Sequence, residues 1–344
     1  MITPAPHRLA LDSAALVDNW RALDRASGGA ACGAAVKANG YGLGARQVVA
    51  RLSAAGCRDF FVATWAEAAA LDDLGQSVSV LHGVRADDMA AALASPARPV
   101  LNTALQVQRW REAGGGACDV MVDTGINRLG IAPAEIAAGL LDGLTVETLM
   151  SHLASADEDS SLNERQRAAF ESLVGRTGAR RMSLANSAGI ALGQGYAFDL
   201  TRPGLALYGG VPRPEWAGVI RQVVTPEAQI LQRRRVAAGE GVGYNAAWTA
   251  PAETEVAILN LGYADGYGRA WSGVGMARAG DIPLPVIGRV SMDLIAIRVD
   301  AAPELGEGDW VAIDYALPAA AGMTGRSQYE LLTGLGTRLE RRWH

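Results

Sequence analysis

Between about residue 11 and residue 222, short runs of apolar and β-branched residues alternate with longer Ala- and Leu-rich stretches of helical periodicity. Short apolar runs bounded by turn residues are typical of strands that are buried on both faces. On this pattern we predict strands at residues 32–37, 59–63, 78–81, 99–101, 119–122, 146–151, 181–184 and 199–201.

Helical stretches separate these strands. The first begins near Ser13 and places Val17, Trp20 and Leu23 on one face. Further helices are predicted at residues 44–54, 65–74, 104–113, 133–140 and 163–174. Strands that alternate with helices form parallel sheets, and this number of units predicts an α/β fold, a (β/α)8 barrel of the TIM type.

From about Val223 the pattern changes to β-like alternation with Gly and Pro between the runs, and we expect no long helix before residues 328–338. This alternation predicts a mainly antiparallel β domain. The expected domains are a barrel over residues 11–222 and a β domain formed by residues 1–10 and 223–344. The segments that carry the alternation are EAQILQRRRV, EVAILNLGYADGY, PLPVIGRVSMDLIAIRV and DWVAIDY.

Composition narrows the class of protein. The chain has 49% hydrophobic and 19% charged residues, as ordinary globular proteins do. A net charge of −5 gives no reason to expect nucleic acid or an anionic membrane as partner. No apolar run reaches the length of a membrane span, and the first residues do not resemble a secretion signal.

The cysteines are few and widely spaced: Cys32, Cys57 and Cys118. Such spacing suits a reducing cytoplasm and favours neither a disulfide framework nor a zinc site, so we expect no metal. Each cysteine is expected to be a small buried apolar residue.

The division of the basic residues between lysine and arginine is more informative than the rest of the composition. Of 31 basic residues only one, Lys37, is a lysine. A lysine amine can act as nucleophile and as base, whereas an arginine stays protonated. Lys37 is therefore a candidate for chemistry, although chance survival in an arginine-biased chain explains the count equally well.

In a (β/α)8 barrel the active site is built at the carboxyl ends of the strands. Basic and polar residues stand at these ends in the predicted barrel, although each alone has an ordinary structural explanation, such as a solvated arginine or a helix cap. The residues are Lys37, Arg128, His152, Asn186, Ser187 and Arg202.

The loops after strands seven and eight of such barrels commonly bind phosphate. Here those loops read ANSAG (185–189) and RPG (202–204), which offer Ser187 and backbone N–H groups. A phosphate site that faces a lysine at a strand end is the arrangement in which proteins hold pyridoxal phosphate.

These residues also lie in motifs that resemble the alanine racemase family. AVKANGYGLG (35–44) resembles the family's cofactor-lysine motif, and LGYADGY (261–267) is the second specific motif. Other matching segments, in the family's order, are VDTGINRLG, SHLASAD, LANSAG, RPGLALYG and GRVSMD. The resemblance extends from about Arg8 to the last residues and implies the same barrel and β domain.

The resemblance implies a pyridoxal-phosphate enzyme that interconverts L- and D-alanine, acts as a cytoplasmic homodimer and supplies D-alanine for peptidoglycan. Lys37 would carry the cofactor and act as one base, and Tyr263 of a second subunit would be the opposite base. Arg202 would face the pyridine nitrogen, and Arg128 and Met292 would contact the substrate. The residues implied at the phosphate are Tyr41, Ser187, Gly204, Leu205 and Tyr329.

Three positions depart from the family pattern. Met121 stands where the family often has a carbamylated lysine that orients the arginine equivalent to Arg128. Leu43 and Ser183 each replace a histidine that is common in the family.

Two alternatives stay open from the sequence. One is a racemase with another or broader substrate range, for example serine. The other is a non-catalytic pyridoxal-phosphate carrier, against which the second domain and its GYADGY motif argue.

Overall fold

The computed structural model describes residues 5–344, so residues 1–4 of the predicted 1–10 segment lie outside the described part. The chain divides into two compact units. One contains the residues up to Ser13 together with Gln222–His344, and its first strand is β1 (His7–Leu11). The other is Ala14–Arg221. Within residues 5–344, no helix combines the length and the apolar character needed to cross a bilayer.

Parallel strands form the centre of the unit Ala14–Arg221. Seven of them, β3 to β9, hydrogen-bond in chain order, and β10 pairs with β2. The Asp199 N–H donates to Met182 O at 3.0 Å and the Arg202 N–H donates to Ala185 O at 2.8 Å, which joins β10 to the end of the sheet. The strands are β2 (Ala31–Cys32), β3 (Ala34–Ala35), β4 (Asp59–Val62), β5 (Ser77–Val80), β6 (Arg98–Leu101), β7 (Cys118–Met121), β8 (Val146–Met150), β9 (Arg181–Ser183) and β10 (Leu200–Thr201).

This closed parallel arrangement confirms the predicted barrel. The first predicted strand is divided at Gly33, where a Cβ would lie 2.8 Å from the carbonyl oxygen of Asp59. Only glycine allows the two strands to approach so closely.

Helices connect the strands of the barrel unit. Most occupy predicted positions, but the short helices α2, α5 and α9 were not predicted. The helices are α1 (Ser13–Ala26), α2 (Lys37–Tyr41), α3 (Ala45–Ala55), α4 (Trp65–Ala69), α5 (Met89–Ala94), α6 (Ala104–Glu112), α7 (Pro133–Ala137), α8 (Ser161–Glu171) and α9 (Ser187–Ala191).

The other unit contains a mainly antiparallel sheet of eight strands in the order β14-β17-β16-β15-β18-β11-β1-β19. Because β11 pairs with both β18 and β14, six of these strands close into a ring. The strands after β10 are β11 (Val224–Val236), β12 (Gly241–Val242), β13 (Trp248–Thr249), β14 (Thr254–Leu259), β15 (Met276–Ala279), β16 (Ile282–Ile287), β17 (Ile295–Arg298), β18 (Trp310–Ile313) and β19 (Glu340–Trp343).

The helices of this unit correct one prediction. Helix α10 (Leu317–Thr324) precedes the position where the first helix was expected, and α11 (Gln328–Thr333) ends before residue 338. The segment of α10 is nearly all small and apolar, so it shows no amphipathic period. Helix α11 stops at its C-cap, Gly334, because glycine disfavours continuation of a helix.

The cysteines behave as expected. Cys32, Cys57 and Cys118 are all free and buried. Burial raises the pKa of Cys32 to about 12 and also raises the pKa values of the other two thiols, so all three stay neutral and unreactive near pH 7.

Candidate active site

Lys37 lies at the carboxyl end of the first barrel strand, two residues after Ala35. The backbone that follows it is left-handed: φ is 53° at Ala38, 53° at Asn39 and 54° at Tyr41. Non-glycine residues adopt this region rarely and at a cost in energy, and such strain concentrates at functional sites. The turn is held by hydrogen bonds to groups outside it. In one of these the Ala38 N–H donates to Glu67 Oε1 at 2.7 Å.

The surroundings of Lys37 favour a neutral amine. Burial lowers the pKa of Lys37 below the ordinary lysine value, and the positive charge of Arg128 lowers it further. The carboxylate of Glu67 opposes this fall, and Arg202 adds to it. A neutral amine is the form that attacks an aldehyde and accepts a proton, so the site prepares Lys37 for both tasks.

Arg202 is buried in the barrel. Its guanidinium donates to Ser183 Oγ and to the carbonyl oxygen of Ser151, and it lies 5.9 Å from the centre of the Phe61 ring. Burial lowers the pKa of Arg202 to about 10, and the charge of Asp119 opposes the fall. Arg202 therefore stays charged at neutral pH and is oriented by two fixed acceptors.

His152 is half-buried and is influenced by these charges. Burial, followed by the positive charges of Arg202, Arg128 and Lys37, lowers the pKa of His152 to about 3. The imidazole is therefore neutral over the whole physiological range and offers one donor and one acceptor nitrogen.

Ser187, Gly204 and Tyr41 surround one small region of the barrel unit. Ser187 Oγ accepts hydrogen bonds from the N–H groups of Gly204 at 2.9 Å and Ala206 at 3.2 Å. A Cβ at Gly204 would lie only 2.2 Å from Tyr41 Oη. Hydroxyl groups and backbone N–H groups thus converge where no side chain fits, as a phosphate-binding loop requires.

The residues on either side of this region have structural roles. Asn186 caps α9, since its side chain accepts from the Gly189 N–H at 2.8 Å. Leu205 begins a short 3-10 helix and is buried. The ring of Tyr41 stacks on that of Tyr208 with centroids 4.7 Å apart, which fixes the direction of the Tyr41 hydroxyl.

Arg128 lies in an exposed loop after β7. Both oxygens of the Asp123 carboxylate accept from this loop, at the N–H groups of Gly125 (2.8 Å), Asn127 (3.1 Å) and Arg128 (3.1 Å). Met121 is buried and supplies no charge beside Arg128. Among residues 5–344 the structure shows no hydrogen-bond or ion-pair partner for the Arg128 guanidinium, which leaves it available for a carboxylate ligand.

In the β unit the structure brings Tyr263 and Met292 together. The Tyr263 N–H donates to Ser291 O and the Ala264 N–H donates to Met292 O, both at 3.0 Å. A Cβ at Gly262 would lie 2.2 Å from that same Met292 oxygen, so the close approach requires glycine. Tyr263 is 38% exposed.

A buried carboxylate organises the turn that carries Tyr263. Asp265 accepts from the Gly262 N–H at 3.0 Å and from Arg338 Nε at 2.8 Å, and His7 Nε2 lies 3.4 Å from it. The guanidinium of Arg269 lies 5.4 Å from the centre of the Tyr263 ring. Tyr329, the remaining residue implied at the phosphate, is on α11 of this unit and is 46% exposed.

Two features were missed from the sequence. One is Glu67, which a Thr-x-x-Glu capping motif at Thr64 could have indicated. The other is a polar network at the amino ends of the barrel strands, where Asp119 Oδ2 accepts from Ser79 Oγ at 2.6 Å and from Arg98 Nε at 3.3 Å. Charged residues at the first or second position of several strands were its signal.

The chain matches known proteins along almost its whole length. Residues 11–212 match the family model of the alanine racemase N-terminal domain, and residues 223–343 match that of the C-terminal domain. An alanine racemase of Rhodospirillum rubrum is 42% identical over 355 residues, with 97% of this chain and 95% of that protein covered. One of Methylobacterium nodulans is 42% identical over 359 residues, with 98% and 95% covered.

Solved structures give the same result. The crystal structure of alanine racemase from Bartonella henselae with covalently bound pyridoxal phosphate has a TM-score of 0.89 and 33% identity, with 99% of this chain and 100% of that chain covered. The biosynthetic alanine racemase of Pseudomonas aeruginosa has a TM-score of 0.88 and 32% identity, with 99% and 100% covered.

Proposed function

Because the chain belongs to the alanine racemase family, it is an enzyme that interconverts L- and D-alanine, and we propose that Lys37 and Tyr263 are its two bases. The observation that carries the proposal is the setting of Lys37. The only lysine of the chain stands at a barrel strand end, and burial and neighbouring cations lower its pKa. A lowered pKa favours the neutral form of the amine, which is the form that acts as a nucleophile and as a base.

The cofactor of this proposal is pyridoxal phosphate, and the residues present fit it. Lys37 offers an amine of lowered pKa for the aldehyde, and the Ser187 hydroxyl lies with the Gly204 N–H in a region that no side chain fills, where a phosphate would be bound. The phosphate would be held by Tyr41, Ser187, Gly204, Leu205 and Tyr329. Arg202 would face the ring nitrogen, with His152 beside the ring and Asn186 holding the loop that carries Ser187.

Inversion of an α-carbon needs removal of a proton on one face and delivery on the other. Pyridoxal phosphate, when bound, supplies an electron-withdrawing ring that stabilises the negative charge left at the α-carbon. Lys37 exchanges the proton at its Nζ on one face, and Tyr263 does so at its Oη on the opposite face. The guanidinium of Arg269 lies beside the Tyr263 ring, 5.4 Å from its centre.

Arg202 restricts the reaction to proton exchange. A guanidinium has only hydrogen-bond donors and stays charged. It therefore cannot accept a hydrogen bond from a protonated ring nitrogen, as a carboxylate would. Opposite Arg202 a bound cofactor would therefore be a weaker electron sink than one paired with a carboxylate. Arg202 would thus favour return of the proton to the α-carbon by Lys37 or Tyr263 and would disfavour transamination.

The substrate carboxylate would be bound by Arg128, whose guanidinium has no partner among the described residues, and by the backbone at Met292. The carboxylate charge also compensates the group of cations that face Lys37. A coupled assay for D-alanine formed from L-alanine tests the function. We expect turnover that depends on added pyridoxal phosphate in the stripped enzyme, and turnover of L-alanine above that of L-serine or L-lysine. No D-alanine under any cofactor condition would refute it.

The proposed assembly is a homodimer in which Tyr263 of one copy serves Lys37 of the other. Two variants test it, Lys37→Arg and Tyr263→Phe. If the sites are shared, mixed and reassociated dimers of the two variants contain one intact site and regain activity that neither variant shows alone. No recovery in verified heterodimers would contradict the shared site. The free buried cysteines support placement in a reducing cytoplasm, where D-alanine would feed peptidoglycan synthesis.

A further inference from the structure

Glu67 joins the ends of two neighbouring barrel strands through backbone groups alone. Its Oε1 accepts from the Ala38 N–H at 2.7 Å, and its Oε2 accepts from the N–H groups of Ala63 at 2.7 Å and Thr64 at 3.2 Å. Ala38 directly follows Lys37 at the end of β3, and Ala63 directly follows β4. One carboxylate therefore ties the segment after Lys37 to the adjacent strand end.

Part of this arrangement is an ordinary helix cap. Thr64 Oγ1 accepts from the Glu67 N–H at 3.3 Å, and Glu67 Oε2 accepts from the Thr64 N–H, as in a capping box. A cap explains the Oε2 contacts only. The Oε1 contact reaches 29 residues back to the left-handed residue Ala38, where helix capping needs nothing.

The Oε1 contact acts on a strained segment. Ala38 and Asn39 hold φ values of 53° without a glycine's freedom, and such a conformation persists only where its surroundings impose it. A carboxylate acceptor forms a stronger hydrogen bond to an N–H group than a neutral acceptor does. The bond to the Ala38 N–H thus stabilises the turn that sets the position of the Lys37 backbone.

The same carboxylate carries the opposing charge at Lys37. The charged and titratable groups that face this amine are Arg128, Arg202, His152 and Glu67. Of these groups only Glu67 is negative, and it counteracts the two arginines. Without Glu67 the amine would face positive charge alone.

We propose that Glu67 is a positioning residue for Lys37: its carboxylate holds the left-handed turn through the Ala38 N–H and supplies the counter-charge for the Lys37 amine. The inference rests on the proposed function of Lys37. Glu67 contacts neither substrate nor cofactor in this role and acts through the lysine.

The single lysine makes the test direct. An amine-reactive reagent can label Lys37 and the terminal α-amine only, and peptide mass spectrometry separates the two. Comparison of the full-length enzyme with and without pyridoxal phosphate first tests the proposed function. Equal labelling of Lys37 in both forms would show that Lys37 does not carry the cofactor, whatever the Glu67 variants do.

The second step measures the pH midpoint of Lys37 labelling in the cofactor-free full chain. In Glu67→Gln we expect the midpoint to fall by about half a pH unit or more, because a nearby negative charge is lost. In Glu67→Asp the charge stays but the shorter side chain cannot reach both strand ends, so the midpoint stays closer to that of the wild type. In both variants we expect the Kd for pyridoxal phosphate to rise by about tenfold, because neither side chain can accept from the Ala38 and Ala63 N–H groups at once: glutamine has a single acceptor oxygen and aspartate is too short.

Glu135→Gln is the matched control. Glu135 stands at the same position of another barrel helix, α7, and its Oε2 accepts from the Ala132 N–H at 2.9 Å. The Glu135→Gln variant should lose a similar helix-cap contribution to stability. It should leave the pH midpoint of Lys37 labelling and the Kd for pyridoxal phosphate at wild-type values. An unchanged midpoint in Glu67→Gln, or an equal change in Glu135→Gln, would overturn the proposal. If Glu67→Gln does not fold, wild-type cofactor affinity in folded Glu67→Asp would overturn it instead.

Discussion

Arg202 and Ser183 form a buried pair in which the guanidinium donates to the serine hydroxyl oxygen, and that hydroxyl donates to the carbonyl oxygen of Leu200 at 2.5 Å. The remaining acceptor for the guanidinium is the carbonyl oxygen of Ser151. Ser183, which stands where the family often has a histidine, thus orients Arg202 and adds no titratable group beside it.

We expect Ser183→Ala to destabilise the fold by about 1–3 kcal/mol, because a buried guanidinium N–H loses its acceptor. Denaturant unfolding measures this loss. Ser172→Ala is the control, since the Ser172 hydroxyl donates to Ala169 O on an exposed helix end and should contribute well under ~1 kcal/mol. Equal stability of the two variants would show that Arg202 does not depend on Ser183.

The close approach of Gly204 and Tyr41 gives a second prediction. In Gly204→Ala the added Cβ would lie 2.2 Å from Tyr41 Oη, so either the tyrosine or the loop must move. We expect pyridoxal phosphate affinity to fall by about tenfold or more while the barrel still folds. Gly29→Ala, at a position where nothing lies within 4 Å, should keep wild-type affinity. Titration of the stripped variants with cofactor distinguishes them, and unaltered binding by Gly204→Ala would place the phosphate elsewhere.

The neutral, half-buried His152 predicts a pH dependence of stability. Its folded pKa is about 3 against an ordinary value of 6.5, so the unfolded chain binds a proton between these pH values and the folded chain does not. The stabilisation is complete above about pH 6.5 and is lost as pH falls, by up to about 1.4 kcal/mol per pH unit. Unfolding free energies of the cofactor-free chain at several pH values should fall less steeply in His152→Gln than in the wild type. Parallel curves would contradict the low pKa.

Lys37→Arg keeps the charge but cannot form a covalent bond with an aldehyde. We expect a folded protein that is colourless after addition of pyridoxal phosphate and forms no D-alanine. The combination of Lys37→Arg with Arg21→Lys restores a lysine at an exposed position, where Arg21 is 55% exposed, and should remain colourless. A yellow Lys37→Arg protein with normal turnover would disprove the role of Lys37.

The order of strands and helices in the barrel was predictable because nearly every strand is a short apolar run. The residues at the strand ends followed from that order, so Lys37 and Arg202 could be placed near each other before the structure was known. Helix α10 was missed because a segment of small apolar residues has no period. Strand β15 was missed because its four residues, Met-Ala-Arg-Ala, form no apolar run.

The finer parts of the site depend on contacts that sequence spacing does not encode. Nothing in the letters KANGY shows that Ala38, Asn39 and Tyr41 adopt left-handed backbone, since only the glycines beside them indicate a turn. The hydrogen bond from Ala38 to Glu67 crosses 29 residues and depends on the neighbouring positions of β3 and β4. Such contacts follow from the three-dimensional arrangement alone.

Exchange of the α-proton with deuterated solvent, measured separately for L- and D-alanine in Tyr263→Phe, tests the two-base proposal most directly. Tyr244→Phe is the control, since Tyr244 is 67% exposed and should be replaceable. If Lys37 and Tyr263 serve opposite faces, Tyr263→Phe keeps exchange from one enantiomer and loses it from the other, and Tyr244→Phe matches the wild type. Exchange that stays near wild-type rates for both enantiomers in Tyr263→Phe would contradict the assignment.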